Sequence, residues 1–77
     1  MKIRVLFFGV LGERAGGSEK SYEGVADTES LEKRVSEEIE GLAEYSYILS
    51  VNRNIVKGNT RLNEGDEVAF LPPFAGG

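Results

Sequence analysis

The plainest chemical potential in this sequence lies at its close, Leu71-Pro72-Pro73-Phe74-Ala75-Gly76-Gly77. The group at the tip is the α-carboxylate of Gly77. Pro72 and Pro73 carry no backbone N–H, so they support neither a helix nor a sheet ladder. A Pro-Pro pair holds the backbone extended and projects it away from the body. Six residues past Leu71 reach roughly 20 Å when fully extended. Gly76 and Gly77 lack a Cβ and can enter a channel too narrow for other residues. A passive reading competes with this one, because many chains close on small residues and termini fray. What precedes the tail must decide between them.

The rest of the chain offers little conventional catalytic equipment. Its 77 residues make one small domain, with no cysteine and no histidine. That removes disulfides, thiol nucleophiles, cysteine-based metal sites and the usual general base. Side-chain catalysis would rest on carboxylates, lysines or tyrosines, so no autonomous active site, resident metal or bound cofactor is expected. The net charge is −4 and no basic stripe is present, which argues against nucleic acid as a partner. An acidic surface suits a partner with a basic groove, and it equally suits solubility. No apolar run approaches membrane-spanning length and no signal-peptide pattern opens the chain, so the expected location is the cytoplasm.

The elements that must carry the tail follow from periodicity. Lys2 to Phe8 reads as a strand, with Ile3, Val5 and Phe7 on one face and Leu6 and Phe8 on the face of Lys2 and Arg4. Gly9 to Ser18 reads as a turn-rich connection; it lacks both the ending of a P-loop and the dinucleotide spacing of glycines. Glu19 to Val25 is a polar edge strand paired with the first. Asp27 and Thr28 offer N-cap oxygens to a helix whose apolar stripe is Leu31, Val35 and Ile39, ended by Gly41. Tyr47 to Val51 is a third strand, with Ile48 and Ser50 on the face opposite Leu49. Asn52-Arg53-Asn54 is a polar turn in which the asparagines tolerate left-handed backbone. Ile55-Val56 returns, Leu62 anchors a loop, and Glu67 to Leu71 is the last strand, with Val68 and Phe70 inward.

This order predicts an α+β layer arrangement: a mixed sheet of four to five strands crossed by one main helix. Setting the last strand parallel to the first at the sheet centre makes it a β-grasp, ubiquitin-like fold. Residues 1–71 form the domain and 72–77 a flexible extended tail. The outer face then gathers Leu6, Phe8, Ile48, Ala69 and Leu71, an apolar patch beside the departing tail that reads as a protein interface. A one-residue error in strand phase would turn these same side chains inward.

Three segments resemble a known family. Gly65-Asp66-Glu67-Val68-Ala69-Phe70-Leu71-Pro72-Pro73-Phe74-Ala75-Gly76-Gly77 is similar to the C-terminal signature of the small subunit of molybdopterin synthase. Val5-Leu6-Phe7-Phe8-Gly9 resembles that family's first strand, and Val51-Asn52-Arg53-Asn54-Ile55-Val56 its middle hairpin. Two positions depart from the pattern: Gly12-Glu13 stands where an Arg-Glu pair is usual, and Phe74 where an aliphatic residue is usual.

The resemblance implies a ubiquitin-like sulfur carrier. An ATP-dependent adenylating enzyme activates Gly77, a sulfur donor enzyme converts it to a thiocarboxylate, and the large synthase subunit uses that sulfur on cyclic pyranopterin monophosphate. Gly76, Ala75, Phe74, Pro73 and Pro72 would thread the partner pockets. Related carriers for thiamine synthesis, tRNA thiolation or protein conjugation share the Gly-Gly chemistry. A β-grasp interaction module with a passive tail is the reading from another class.

Overall fold

Pairing brings together the two ends of the described chain. The computed structural model describes residues 2–73. In it, β1 (Lys2–Phe7) and β5 (Glu67–Leu71) lie parallel at the sheet centre, with Arg4 opposite Glu67 and Phe7 opposite Phe70. β2 (Glu19–Glu23) flanks β1 antiparallel. β3 (Ile48–Val51) flanks β5, and β4 (Asn54–Val56) closes the other edge, giving the order β2-β1-β5-β3-β4. A parallel pair requires a crossover connection, and α2 (Thr28–Glu38) supplies it. The α+β, β-grasp arrangement expected from the sequence is therefore the observed one.

The core lies between α2 and the inner sheet face. Ile3, Val5 and Phe7 alternate inward from β1 and meet Val68 and Phe70 of β5 and Leu31 and Val35 of the helix. The Phe7 and Phe70 rings stack at 5.1 Å, and the Tyr47 ring lies tilted 4.9 Å from Phe70. Ring pairs at such spacings add to the area they bury.

The start of α2 is held by side chains rather than by the sheet. Asp27 Oδ1 accepts from the Ser30 N–H at 2.8 Å, and Asn59 Oδ1 accepts from the Glu29 N–H at 2.9 Å. Thr28 Oγ1 accepts from the Thr60 N–H at 2.9 Å, which ties the loop before β5 to the helix start. Leu62 is buried there, as expected. Hydrogen bonds from Ser30, together with the neighbouring Asn59 and Arg61, hold the Asp27 carboxyl below the usual carboxylate range.

Three expectations need correction. The connection after β1 is not wholly turns: Val10–Ala15 forms a short helix, α1. Leu11 and Ala15 stand one turn apart and are both buried, which gives the segment a reason to coil. It closes on a Schellman arrangement, with Gly17 N–H donating to Gly12 O and Gly16 N–H to Glu13 O while Gly16 takes φ +81°. Glycines that read as a loop are thus the helix's terminator. Second, α2 ends at Glu38, before Gly41. Ile39 turns extended yet stays buried, and Gly41, at φ +83°, opens a 3₁₀ turn over Leu42–Glu44. Third, the left-handed residues of the hairpin are Asn52 and Arg53, at φ +51° and +72°, not Asn54. Both central residues of a two-residue hairpin turn of this kind need positive φ. Arg53 is carried there because Asn52 is clamped to β5: its N–H donates to Glu67 O at 2.7 Å, its Oδ1 accepts from Glu67 N–H at 3.1 Å, and its Nδ2 donates to Asp66 Oδ1 at 3.0 Å.

Val35 is fully buried, so Val35→Ala should destabilise the fold by about 1–3 kcal/mol through the cavity it leaves, read as a lower denaturant midpoint at unchanged m-value. Because its folded pKa is depressed, Asp27 contributes stability that is fully present above its unfolded pKa of about 3.9 and is lost as pH falls through the lower folded value. Asp27→Asn keeps a cap acceptor and removes the charge. It should flatten the acid limb of stability against pH, measured by denaturant titration between about pH 2 and 5.

Candidate functional site

The site is built on β5, because the tail continues from it. Sheet register decides which side chains share its outer face. Leu6 stands opposite Ala69, Ala69 opposite Ser50, Ile48 opposite Leu71, and Ser50 opposite Ile55. The strand phases read from the sequence were therefore right. A shallow concavity there is lined by Leu6, Phe8, Ser50, Ile55, Ala69 and Leu71. Phe8 is 46% exposed and Ile55 63% exposed, while Ala69 is buried beneath its neighbours. Ile48 shares this face by register, opposite Leu71, and with Ile55 it lines the adjoining groove at the β4 edge.

Ile55 belongs to this face and was not placed there by the sequence reading. The signal was present: a two-residue turn at Asn52-Arg53 sets Ile55 across from Ser50, whose face had been assigned. The charged rim was also missed. Glu67 pairs with Arg4 and lies 3.9 Å from the Arg53 guanidinium, and Arg4 reaches Glu19 at 3.3 Å. Such exposed pairs contribute little stability. Their effect is to border an apolar floor with fixed charges, which orients a partner more than it binds one.

The tail root is anchored on the other side of the strand. By alternation Leu71 points to the outer face and Pro72 away from it. A Cβ built on Gly9 would lie 3.1 Å from Pro72 Cγ, and Gly9 holds φ +61° with ψ −138°. Glycine at position 9 thus serves both a backbone region nearly closed to other residues and a close approach by Pro72. A small groove with Gly9, Val10, Leu11, Tyr45, Ser46, Pro72 and Pro73 as its walls opens at this point. The remaining site residues from the sequence, Phe74, Ala75, Gly76 and Gly77, lie outside the described residues.

Two tyrosine hydroxyls are shifted by their surroundings. Burial, reinforced by its hydrogen bond to Glu38 at 3.0 Å, pushes the Tyr22 hydroxyl up to about 12. Burial and a bond to Glu32 at 2.8 Å raise Tyr47 as well. Both hydroxyls stay protonated donors, the opposite of what a tyrosine base or nucleophile requires. Among the described residues no group of acidic, histidine or cysteine side chains is placed to hold a metal ion. No described helix is long and apolar enough to cross a membrane.

Comparison with known proteins follows this geometry. The ThiS family model matches residues 5–77. A Pyrococcus furiosus protein assigned as molybdopterin converting factor subunit 1 superposes with a TM-score of 0.85 at 24% identity, over 94% of this chain and 97% of that one. The complex of subunits 1 and 2 of the molybdopterin-converting factor from Helicobacter pylori matches with a TM-score of 0.75 at 29% identity, over the whole of both chains. SAMP1 from Haloferax volcanii matches with a TM-score of 0.82 at 18% identity, again over the whole of both chains. No curated protein matches significantly.

Gly9→Ala should lower stability by about 1–3 kcal/mol from backbone strain alone. It should also displace Pro72, seen as shifted NMR resonances of Pro72 and Val10 with those of Val5 and Phe70 left in place.

Proposed function

The chain belongs to the ThiS family, and from that membership we propose that it is a ubiquitin-like sulfur carrier whose Gly77 carboxylate is loaded as a thiocarboxylate and spent in molybdopterin synthesis. The observation that carries this reading is the placement of the tail. It leaves the central strand of a five-stranded sheet at the margin of a partly exposed apolar face, so one partner surface can grip the face and receive the tip together.

The chemistry asks little of the body. A free α-carboxylate has a pKa of about 3.3–3.7 and is ionised at neutral pH, which makes it a poor electrophile. Attack of that carboxylate on the α-phosphorus of ATP, within the activating enzyme, releases pyrophosphate and forms an acyl adenylate. A sulfur nucleophile then adds to the acyl carbon and AMP leaves, so that the C–O bond to phosphate is replaced by C–S. The carrier supplies no base, metal or thiol to either step. A chain without histidine or cysteine suits that division of labour. A dithiolene contains two sulfurs and each tail holds one, so two loaded carriers are consumed per product.

The large subunit of the synthase is the partner proposed for the outer face. The full-length likeness to a chain in the subunit 1 and 2 complex from Helicobacter pylori, at 29% identity, supports it, as do the tail and hairpin segments. The SAMP1 likeness is one of fold alone; protein conjugation is the competing destination because carriers for it share the Gly-Gly ending.

Two variants separate the roles of tip and face. Removing Gly77 should abolish gain of sulfur, read by intact-mass spectrometry after incubation with ATP, an adenylating enzyme and a sulfur source, while calorimetric binding to the large subunit persists. Leu71→Asp should leave loading possible and weaken large-subunit binding by about tenfold or more, equivalent to about 1.4 kcal/mol. Sulfur transfer surviving loss of Gly77 would overturn the carrier reading. Loaded protein that modifies protein lysines, and yields no dithiolene with the large subunit and pterin precursor, would redirect it to conjugation.

A further inference from the structure

The outer face has a hole at its centre. Ser50 of β3 and Ala69 of β5 stand opposite each other in register. They are 6% and 7% exposed, yet both line the concavity on that face. Larger side chains flank them, Leu6 across from Ala69 and Ile55 across from Ser50. Two small residues between two large ones leave a depression in the sheet surface. Its floor carries a polar group, the Ser50 hydroxyl, which finds no hydrogen-bond partner among the described residues. A protein that covers this floor must offer that hydroxyl a partner or strand it away from water.

The rim supplies a charge that is also left over. Arg4 is engaged by Glu19 at 3.3 Å and by Glu67 at 2.5 Å. Arg53 has no such pairing: its Nε lies 3.9 Å from Glu67 Oε1, beyond hydrogen-bond distance, and its side chain is 90% exposed. The root of that side chain is nevertheless fixed. Asn52 is clamped to Asp66 and Glu67, and Arg53 follows it in the turn at φ +72°. A cation therefore borders the hole in a chain whose net charge is −4.

We propose that the partner docking on this face places a carboxylate-bearing side chain in the hole, where it accepts from the Ser50 hydroxyl and from the Arg53 guanidinium. Both groups donate, and an ionised carboxylate only accepts. The alternatives each leave something unmet. A plain aliphatic side chain would bury the Ser50 hydroxyl unpaired. An amide would satisfy Ser50 and leave the Arg53 charge uncompensated. A lysine or arginine would face two guanidinium groups. Glu67 also borders the concavity, but Arg4 holds its carboxylate. A glutamate fits best, because its methylenes can lie along Leu6 and Ile55. The inference rests on the outer face being the docking surface, as proposed above, and adds what is read there: an acidic group, against the sign of the chain's net charge. Opposite charge steers encounter and rejects wrong partners more than it adds affinity.

The test is calorimetry and stopped-flow association of the intact protein with the large subunit at several salt concentrations. Ser50→Ala should weaken binding by about two- to tenfold, the worth of one hydrogen bond. Arg53→Gln should slow association and flatten its salt dependence, and Arg53→Lys, which keeps the charge, should restore that dependence. The denaturant midpoint should stay put in both arginine variants, since the side chain is exposed. Leu71→Asp is the control for the face itself. If it weakens binding while Ser50→Ala and Arg53→Gln leave affinity and salt dependence unchanged, the carboxylate inference is overturned and the docking face stands. If none of the three changes binding, the docking face is lost as well. Faster association in Arg53→Gln would overturn the inference by showing that the partner presents a cation.

Discussion

The parallel pairing of β1 with β5 is the contact on which the rest depends. It joins residues near the two ends of the chain, with Val5 opposite Val68 and Phe7 opposite Phe70. Without it neither the inner core nor the outer face exists, because each is assembled from both strands. Parallel strands need a long connection, so everything between them serves as crossover, flank or edge. The helix α2 covers one sheet face. The other is left with Leu6, Ala69 and Leu71 in register, partly uncovered. The apolar surface and the tail are thus two outcomes of one strand placement.

Much of this was legible in the sequence, for identifiable reasons. Strict alternation in β1 and β5 carried both the fold and the composition of the outer face, since a period of two leaves no freedom once the inward residues are known. The i, i+4 spacing of Leu31 and Val35 and the cap at Asp27 located α2. What was lost lay where one signal masked another. Four glycines between Gly9 and Gly17 concealed a six-residue helix whose buried face is only Leu11 and Ala15. In the hairpin, asparagine's tolerance of positive φ pointed to Asn52 and Asn54, yet the turn type required consecutive residues, and the clamp from Asn52 to Asp66 and Glu67 placed Arg53 there. That clamp joins residues distant in sequence and leaves no local pattern.

The candidate site divides in the same way. Ile55 escaped because a three-residue strand shows no periodicity of its own; its face is defined only by its partner strand. The groove at Val10 and Tyr45 escaped because it exists only when α1, the turn after α2 and the tail root meet. The Tyr22 and Tyr47 hydroxyls, raised by burial and by their carboxylate partners, are structural donors that tie strand to helix, and no local pattern marks them as such.

The central pair also has a mechanical meaning. Force applied to the tail runs along β5, and its load passes into β1 parallel to the strand axis. Ladder bonds loaded in that direction share the strain and must yield together, whereas bonds at a frayed edge can open one at a time. A pull on Pro72 along the strand therefore meets the β1–β5 ladder in shear at the sheet centre, not at an edge.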